Sequence, residues 1–203
     1  MSRFIESIKV EDGNIFLLPF HQIRLNETLA RHNSSVRIDV VELYNELKFR
    51  EEGLFKFRIE YDVFGDIKAE FQPYERREIA DFALVEAEGI EYDFKYANRQ
   101  KIQACKEHAN AEEIIFVQNG MICDTSFSNL IFLRNNNWYT PRTFLLNGVQ
   151  RQYLISERKI QIADISVQNL SDFSAFQLIN ALNSLGESFV YPLAKIINIP
   201  QLG

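Results

Sequence analysis

The stretch FIESIKVEDGNIFLLPFHQIRL, residues 4–25, places a tight turn between two apolar runs and then starts a helix. Asp12 and Gly13 form an Asp-Gly pair, which favours a two-residue hairpin turn, so the sequence predicts two strands around it. Pro19 suits the first turn of a helix, because an N–H at that position would have no partner within the helix. We therefore expect a hairpin followed by a helix over residues 19–32.

Further α+β patterning follows this helix. Asp39 and Glu42 resemble a capping box in front of a helix over residues 40–49. Residues 54–74 alternate apolar and polar side chains around a central Phe-Gly-Asp turn, which predicts a second hairpin. We therefore predict that residues 1–78 form a small α+β domain.

Residues 79–203 are predicted to form a larger, strand-rich domain. Many short strands with few helices indicate an α+β fold rather than a doubly wound sheet. The sequence contains neither a GxGxxG motif nor a P-loop, so any phosphate must be held in another way. The predicted strands cover residues 82–94, 112–117, 121–126, 129–134, 160–167, 175–180 and 188–196, and the predicted helices run from about 97 to 108 and from about 148 onward.

Composition excludes several classes of function. The chain of 203 residues has a net charge of −6 and no basic block, so we expect no nucleic-acid partner. No apolar run approaches the length of a membrane span and no signal-like segment begins the chain, so we expect no membrane partner. Cys105 and Cys123 do not form a CxxC pair, which suggests reduced thiols and a cytoplasmic location. The three histidines lack zinc-ligand spacing, so we expect no metal.

Lys95 is a candidate reactive residue. It lies between Phe94 and Tyr96 in EYDFKYANRQK, residues 91–101. In an apolar cleft, desolvation would favour the neutral amine, which is nucleophilic and forms imines. On a solvated loop the same residue would be an ordinary surface lysine, and its position alone favours that interpretation.

Four further features also admit an ordinary structural interpretation. Arg24, one turn after His21, could be a helix-surface arginine, and Asp124 could serve as a turn or cap residue. Gly148 could be a loop glycine, and the segment INALNSLGE an ordinary polar turn. Together with a lysine, however, an arginine, a carboxylate and a helix start are the parts that hold pyridoxal phosphate.

The order of these motifs resembles the class IV aminotransferases, which are fold-type-IV pyridoxal-phosphate enzymes. The hairpin and H-x-x-R-L helix of residues 4–25 look like the opening of that family, and KYANR looks like its Schiff-base lysine motif. NGMICDTSFSNLIF is similar to its carboxylate segment, and YTPRTFLLNGVQRQ to its phosphate-binding stretch. The resemblance covers nearly the whole chain and implies a two-domain α+β fold with a small sandwich-like N-terminal domain and a barrel-like C-terminal domain.

The resemblance also implies a role for each matching residue. Lys95 would bind the cofactor covalently and then act as acid and base in catalysis. Arg24 would bind the cofactor phosphate, and Asp124 would pair with the pyridine nitrogen. The backbone N–H groups of Val149 and Gln150 would contact the phosphate from the helix start. The family would place Asn180 and Ala181 on the other side of the phosphate, and Arg58 near the carboxylate of the substrate.

Two departures from the family bear on these roles. Aspartate stands at position 124 where the family usually has glutamate, and its side chain is one methylene shorter. Either the strand lies closer to the ring or the contact runs through water. Relatives also begin with additional strands before the stretch that matches FIESIK, and those strands supply part of the substrate pocket. The second departure leaves the substrate less defined than the cofactor.

The resemblance leaves three activities open for a small-molecule substrate. KYANR and Asn180-Ala181-Leu182 favour 4-amino-4-deoxychorismate lyase, which releases 4-aminobenzoate and pyruvate for folate biosynthesis. The alternative is an aminotransferase that acts on a branched-chain or D-amino acid with a 2-oxo acid as acceptor. A shortened, non-catalytic member of the family is the third possibility. Relatives are usually homodimers, so the resemblance also implies a homodimer.

Overall fold

The computed structural model describes residues 2–49 and 52–199. The α-helices of this part of the chain are α1 (Leu18–Arg31), α2 (Val40–Glu46), α3 (Gln100–His108) and α4 (Val149–Ser156). The strands are β1 (Phe4–Glu11), β2 (Asn14–Ile15), β3 (Leu54–Tyr61), β4 (Ile67–Pro73), β5 (Phe82–Glu86), β6 (Glu113–Gln118), β7 (Met121–Thr125), β8 (Asn129–Arg134), β9 (Asn137–Pro141), β10 (Gln161–Ala163), β11 (Ala175–Ile179) and β12 (Val190–Pro192). Short 3₁₀ helices cover Val167–Asp172 and Leu193–Lys195. The predicted α+β, strand-rich fold class is confirmed.

The described chain packs into two compact units. The first unit contains the residues up to Glu75 together with Phe94–Asn98, and the second contains Arg76–Asp93 and the residues from Arg99 onward. The boundary between 78 and 79 stays a prediction about domains. The packing nevertheless assigns the segment around Lys95 to the first unit, although that segment lies well beyond the boundary in sequence.

The first unit is a four-stranded antiparallel sheet in the order β2-β1-β3-β4 with α1 and α2 packed on it. The turn between β1 and β2 has positive φ angles at Asp12 and Gly13, 50° and 75°, as the Asp-Gly pair predicts. Asp39 caps α2 by accepting hydrogen bonds from the N–H groups of Val41 and Glu42. The apolar face of the sheet meets the helices in a core that includes Phe4, Ile8, Val10, Leu25, Leu29, Phe57 and Ile59.

The second unit contains two sheets. One has the order β5-β6-β7, and the other has the order β10-β9-β8-β11-β12. Strands β6, β7, β8 and β11 are buried along most of their length, and β6 and β8 each have a continuous apolar run at their centre. The largest apolar core of this unit includes Phe82, Ile115, Ile122, Leu130, Phe132, Phe176 and Tyr191.

The predicted strand over residues 82–94 is wrong beyond Glu86. Gly89 adopts a φ of 69° in a turn, which ends the extended backbone. Ile90 and Tyr92 then pack against a small core of the second unit without pairing to a strand. Their apolar–polar alternation therefore reflects local packing in a loop.

Three other boundaries differ from the sequence-based predictions. The helix predicted from residue 97 begins at Gln100, because the N–H of Ala97 instead bonds to the carbonyl of Arg3 at 2.8 Å. The strand predicted over 160–167 ends at Ala163, and Ser166 then caps a 3₁₀ helix. The strand predicted over 188–196 is confined to Val190–Pro192.

Among the residues that the structure describes, no helix is long and apolar enough to cross a membrane.

Candidate active site

Asp124, near the end of β7, has a buried carboxylate that is held by three hydrogen bonds. Its Oδ2 atom accepts from the backbone N–H groups of Leu145 and Leu146, both at 2.9 Å. Its Oδ1 atom accepts from the side-chain amide of Asn129 at 2.7 Å. The carboxylate is thereby tied to the loop that leads into α4.

The pKa of Asp124 is raised to about 6. Burial raises the pKa because it penalises the charged form. The hydrogen bonds from Leu146, Asn129 and Leu145 lower the pKa, and so does the charge of Arg151. Asp124 is therefore largely ionised at neutral pH and is also poised to bind a positively charged partner. A protonated ring nitrogen is a partner of that kind.

The start of α4 is suited to an anion. Gly148 precedes the helix and supplies no side-chain cap, while Val149 and Gln150 are buried. The first N–H groups of a helix have no partner within the helix, and its dipole favours negative charge at that end. Buried donors without a side-chain cap are the feature that a phosphate group needs.

Arg151 fastens the loop in front of α4. Its buried guanidinium donates to Thr140 Oγ1 at 3.2 Å, to the carbonyl of Pro141 at 3.0 Å and to Asn147 Oδ1 at 2.8 Å. It also lies over the ring of Phe144, 4.7 Å from the centroid. The loop is thus held by Arg151 as well as by the carboxylate of Asp124.

The turn that contains Asn180 and Ala181 is linked to the turn that follows Asp124. The Asn180 amide donates to Ser128 Oγ at 2.8 Å, and Asn180 Oδ1 accepts from the N–H groups of Leu182 and Asn183. The second unit therefore connects three predicted cofactor-binding parts, namely Asp124, the start of α4 and the turn at Asn180. The individual contacts that were predicted for these residues stay predictions.

Lys95 lies beside β1 in the first unit. Its carbonyl accepts from the N–H of Ile5 at 2.9 Å, and Tyr96 forms an isolated bridge with Phe4. Phe94 and Tyr96 pack their rings around Phe4, so the aromatic residues that flank the lysine belong to the core of this unit. The backbone at Lys95 is therefore anchored to β1.

Arg24 forms a bidentate ion pair in the same unit. Its Nε donates to Glu6 Oε1 at 2.8 Å and a terminal nitrogen donates to Oε2 at 2.5 Å. His21 Nδ1 lies 2.6 Å from the same Oε2, and both Glu6 and His21 are buried. Glu6 thus orients the guanidinium that the sequence assigned to the cofactor phosphate.

The pKa values in this cluster follow from burial and charge. Burial raises the pKa of Glu6, but the charge of Arg24 and the hydrogen bonds from His21 and Arg24 outweigh it and bring the pKa to about 2. Burial lowers the pKa of His21, with contributions from the charges of Arg24 and Lys95 against the opposing effect of Glu6. A neutral His21 and an anionic Glu6 are therefore expected at neutral pH.

Arg58 lies on the opposite face of the sheet. Along β3 its neighbours Phe57 and Ile59 point into the helix-facing core. Because side chains alternate between the two faces of a strand, Arg58 points to the opposite face. Its guanidinium forms an ion pair with Glu60 at 2.7 Å. The structure therefore does not bring Arg58 together with Arg24, and a contact with substrate stays a prediction.

A family model described as amino-transferase class IV matches residues 3–187 of this sequence. The chain belongs to this family. An uncharacterised protein of Haemophilus influenzae is 31% identical over 189 residues, which cover 91% of this chain and 100% of that protein. Membership in the class IV aminotransferases confirms the resemblance and makes the protein a pyridoxal-phosphate-dependent enzyme, either a lyase or an aminotransferase.

Solved structures of class IV aminotransferases have the same fold. A proposed 4-amino-4-deoxychorismate lyase from Haemophilus somnus is 28% identical, with a TM-score of 0.84 and coverage of 91% of this chain and 98% of that one. The branched-chain amino acid aminotransferase of Escherichia coli has a TM-score of 0.70 at 15% identity, with coverage of 98% and 79%. The second similarity supports the fold alone.

The residues of this class IV aminotransferase fit the cofactor that its family implies. In the second unit, a buried carboxylate and a buried, uncapped helix start are connected through one loop. In the first unit, an oriented guanidinium and a backbone-anchored lysine both contact β1. A carboxylate for the ring nitrogen, donors for the phosphate and an amine for the aldehyde are the groups that pyridoxal phosphate requires.

Sequence reasoning assigned no role to four residues that organise these groups. Glu6 and His21 orient Arg24, while Asn129 and Arg151 hold Asp124 and the loop before α4. A signal for Glu6 was present, because period-two alternation with Phe4 and Ile8 puts an ionisable residue on the buried face of β1. No comparable signal identified the partners of Asn129, which lie 5 and 17 residues away along the chain.

Proposed function

We propose that this class IV enzyme is a 4-amino-4-deoxychorismate lyase that uses pyridoxal phosphate and releases 4-aminobenzoate and pyruvate. The observation that carries the proposal is the match over almost the full length of the Haemophilus somnus structure, at 28% identity. The KYANR motif and the Asn180-Ala181-Leu182 turn also resemble the lyase branch of the family. The reaction supplies 4-aminobenzoate for folate biosynthesis, and the thiols of Cys105 and Cys123 suit a reducing cytoplasm.

The residues of the chain divide the work of binding and proton transfer. Arg24 and the first N–H groups of α4 would each supply donors for the phosphate, and the charge of Asp124 would favour a proton on the ring nitrogen. When bound, the cofactor supplies an electron-accepting ring that makes the carbon bearing the substrate nitrogen acidic. The amine of Lys95 removes the proton from that carbon and returns a proton later in the reaction.

The choice between lyase and aminotransferase depends on the step after the first proton removal. In the lyase, loss of the leaving group from the neighbouring carbon forms the aromatic ring of 4-aminobenzoate and leaves pyruvate. In an aminotransferase, the substrate would instead leave as a 2-oxo acid, and its amino group would pass to a 2-oxo acid acceptor. Lys95 is the acid and base in both reactions, so the substrate decides the outcome.

The proposal is tested by supplying cofactor-loaded protein with 4-amino-4-deoxychorismate. We expect 4-aminobenzoate, followed by its fluorescence, and pyruvate, followed by a coupled dehydrogenase, in equal amounts. Lys95→Ala should abolish both products. Lys101→Ala is the matched control, because Lys101 is an exposed lysine whose amine donates to the carbonyl of Gly89 at 3.2 Å, and it should retain activity.

The aminotransferase is the outcome that would replace this proposal. It predicts no 4-aminobenzoate from the chorismate-derived amine, together with conversion of an amino acid and 2-oxoglutarate to the exchanged pair. A separate measurement tests cofactor binding. Borohydride reduction followed by mass spectrometry should find the cofactor attached to Lys95 in the wild-type protein, and no such adduct in Lys95→Ala.

A further inference from the structure

Asn129, the first residue of β8, connects Asp124 to the loop before α4. Its side chain is buried, and its Nδ2 atom donates to Asp124 Oδ1 at 2.7 Å and to the carbonyl of Leu146 at 2.8 Å. A side-chain amide nitrogen carries two hydrogens, so these two bonds use both. A hydroxyl or a carboxylate at this position could not donate to both acceptors.

The carboxylate of Asp124 is oriented by these contacts. A carboxylate offers about four acceptor positions. Two on Oδ2 are used by the N–H groups of Leu145 and Leu146, and one on Oδ1 is used by Asn129. Among the described residues, these bonds leave one acceptor position, and it belongs to Oδ1.

The oxygen of the Asn129 side-chain amide lies in the space that a side chain at position 148 would occupy. A Cβ atom at position 148 would lie 2.1 Å from Asn129 Oδ1, which is far inside contact distance. The φ angle of Gly148 is −66°, so its backbone conformation is open to any residue. Glycine is therefore required at this position by the space that Asn129 occupies.

We infer that Asn129 is a positioning residue, which aims Asp124 Oδ1 at the ring nitrogen of the cofactor and fixes its distance from the start of α4. Gly148 is its steric partner. This inference rests on the proposed cofactor chemistry, in which Asp124 faces the ring. It assigns direct contact to Oδ1 and gives Oδ2 to the loop.

The same contacts hold the aspartate that stands where the family usually has a longer glutamate. Two backbone donors and one amide hold the shorter side chain in a single orientation. A carboxylate that is fixed before the cofactor arrives loses little conformational entropy on binding it. Arg151 is the charged group of α4 that acts on Asp124, and it favours the anionic form.

Asn129→Asp is the sharpest test, because the new side chain has nearly the same shape but cannot donate a hydrogen bond when ionised. It places a second carboxylate beside Asp124 and the carbonyl of Leu146. We expect the dissociation constant for pyridoxal phosphate, measured by quenching of intrinsic fluorescence at pH 7.5, to rise by roughly tenfold or more. We also expect the pH below which affinity is lost to move upward, because Asp124 becomes harder to ionise.

Asn169→Asp is the matched control. Asn169 lies in the same unit, and its amide donates to the carbonyl of Asp164 at 3.0 Å without touching Asp124. It receives the same added charge, so neither the affinity nor its pH midpoint should move. Thermal unfolding without cofactor reports whether each variant is folded.

The outcomes separate this inference from the proposed function. A wild-type protein that does not bind pyridoxal phosphate would overturn both. If the wild type binds and Asn129→Asp shows the same affinity and pH midpoint, the positioning role is wrong while the proposed function stands. If Asn129→Asp does not fold, Asn129→Ser is measured in the same way, and unfolding of both variants would show that Asn129 maintains the fold instead.

Discussion

At the scale of a residue, the buried carboxylate of Glu6 links a strand to a helix. It lies on the helix-facing side of β1 and contacts both His21 and Arg24 of α1. Without Glu6, the guanidinium of Arg24 would lose its bidentate anionic partner in a largely buried position. Strand and helix are therefore joined by charge as well as by apolar packing.

Glu6→Gln should destabilise the protein by about 3 kcal/mol at pH 7, because it removes one partner of a buried ion pair. The folded-state pKa of Glu6, about 2, lies below its ordinary value of 4.5. The advantage of the wild type should therefore be complete above pH 4.5 and should decline as the pH falls toward 2. Denaturant unfolding at several pH values measures this difference in unfolding free energy between the wild type and Glu6→Gln.

Glu60→Gln is the matched control for this prediction. Glu60 also pairs with arginines of the first unit, but it is partly exposed to solvent. Its replacement should cost clearly less than that of Glu6. Equal losses for the two variants would contradict the role assigned to burial.

Asp124 should show the opposite dependence on pH. Its folded-state pKa of about 6 lies above the ordinary value of 3.8, so the folded protein without cofactor binds this proton more tightly than the unfolded chain. The unfolding free energy of the wild type, relative to Asp124→Asn, should therefore fall by about 3 kcal/mol as the pH rises through this interval. A constant difference between wild type and Asp124→Asn would contradict the assigned pKa.

At the scale of an element, the start of α4 depends on a pair of residues from different parts of the chain. Gly148→Ala should destabilise the protein by about 1–3 kcal/mol, because the added methyl group enters the space of Asn129 Oδ1. In an Asn129→Ala background the same change should cost much less. Thermal unfolding of the two single variants and the double variant gives this coupling. Equal costs in both backgrounds would show that the two side chains do not compete for space.

Most helices and strands could be predicted from local sequence patterns. The prediction that failed involves contacts between distant parts of the chain. The Asp-Gly turn, Pro19 and the Asp39 cap each act within a few residues, and each feature is confirmed. The strand predicted through residue 94 ends at Glu86 because Gly89 turns the chain, and the backbone around Lys95 bonds instead to β1, about 90 residues earlier in the chain. Alternation in sequence cannot reveal a partner at that separation.

At the scale of the whole molecule, we expect a homodimer in solution. The family resemblance implies a dimer, and several large apolar side chains are exposed, including Ile23 in the first unit and Val190 in the second. Light scattering with size exclusion should give a mass near twice the chain mass of 23.7 kDa. Dilution should not dissociate it at assay concentrations. A monomer with full activity would contradict the expectation.

The sequence by itself determined the family, the α+β class and the residue types of the site, because motifs and turn signals are local features of the chain. It could identify Lys95, Arg24 and Asp124 as candidates. Only the tertiary structure decided how these groups are held, with Glu6 against Arg24 and Asn129 between Asp124 and the loop before α4. The physical reason is that hydrogen bonds and charge interactions act over a few ångströms in space, and folding alone brings these distant parts of the chain together.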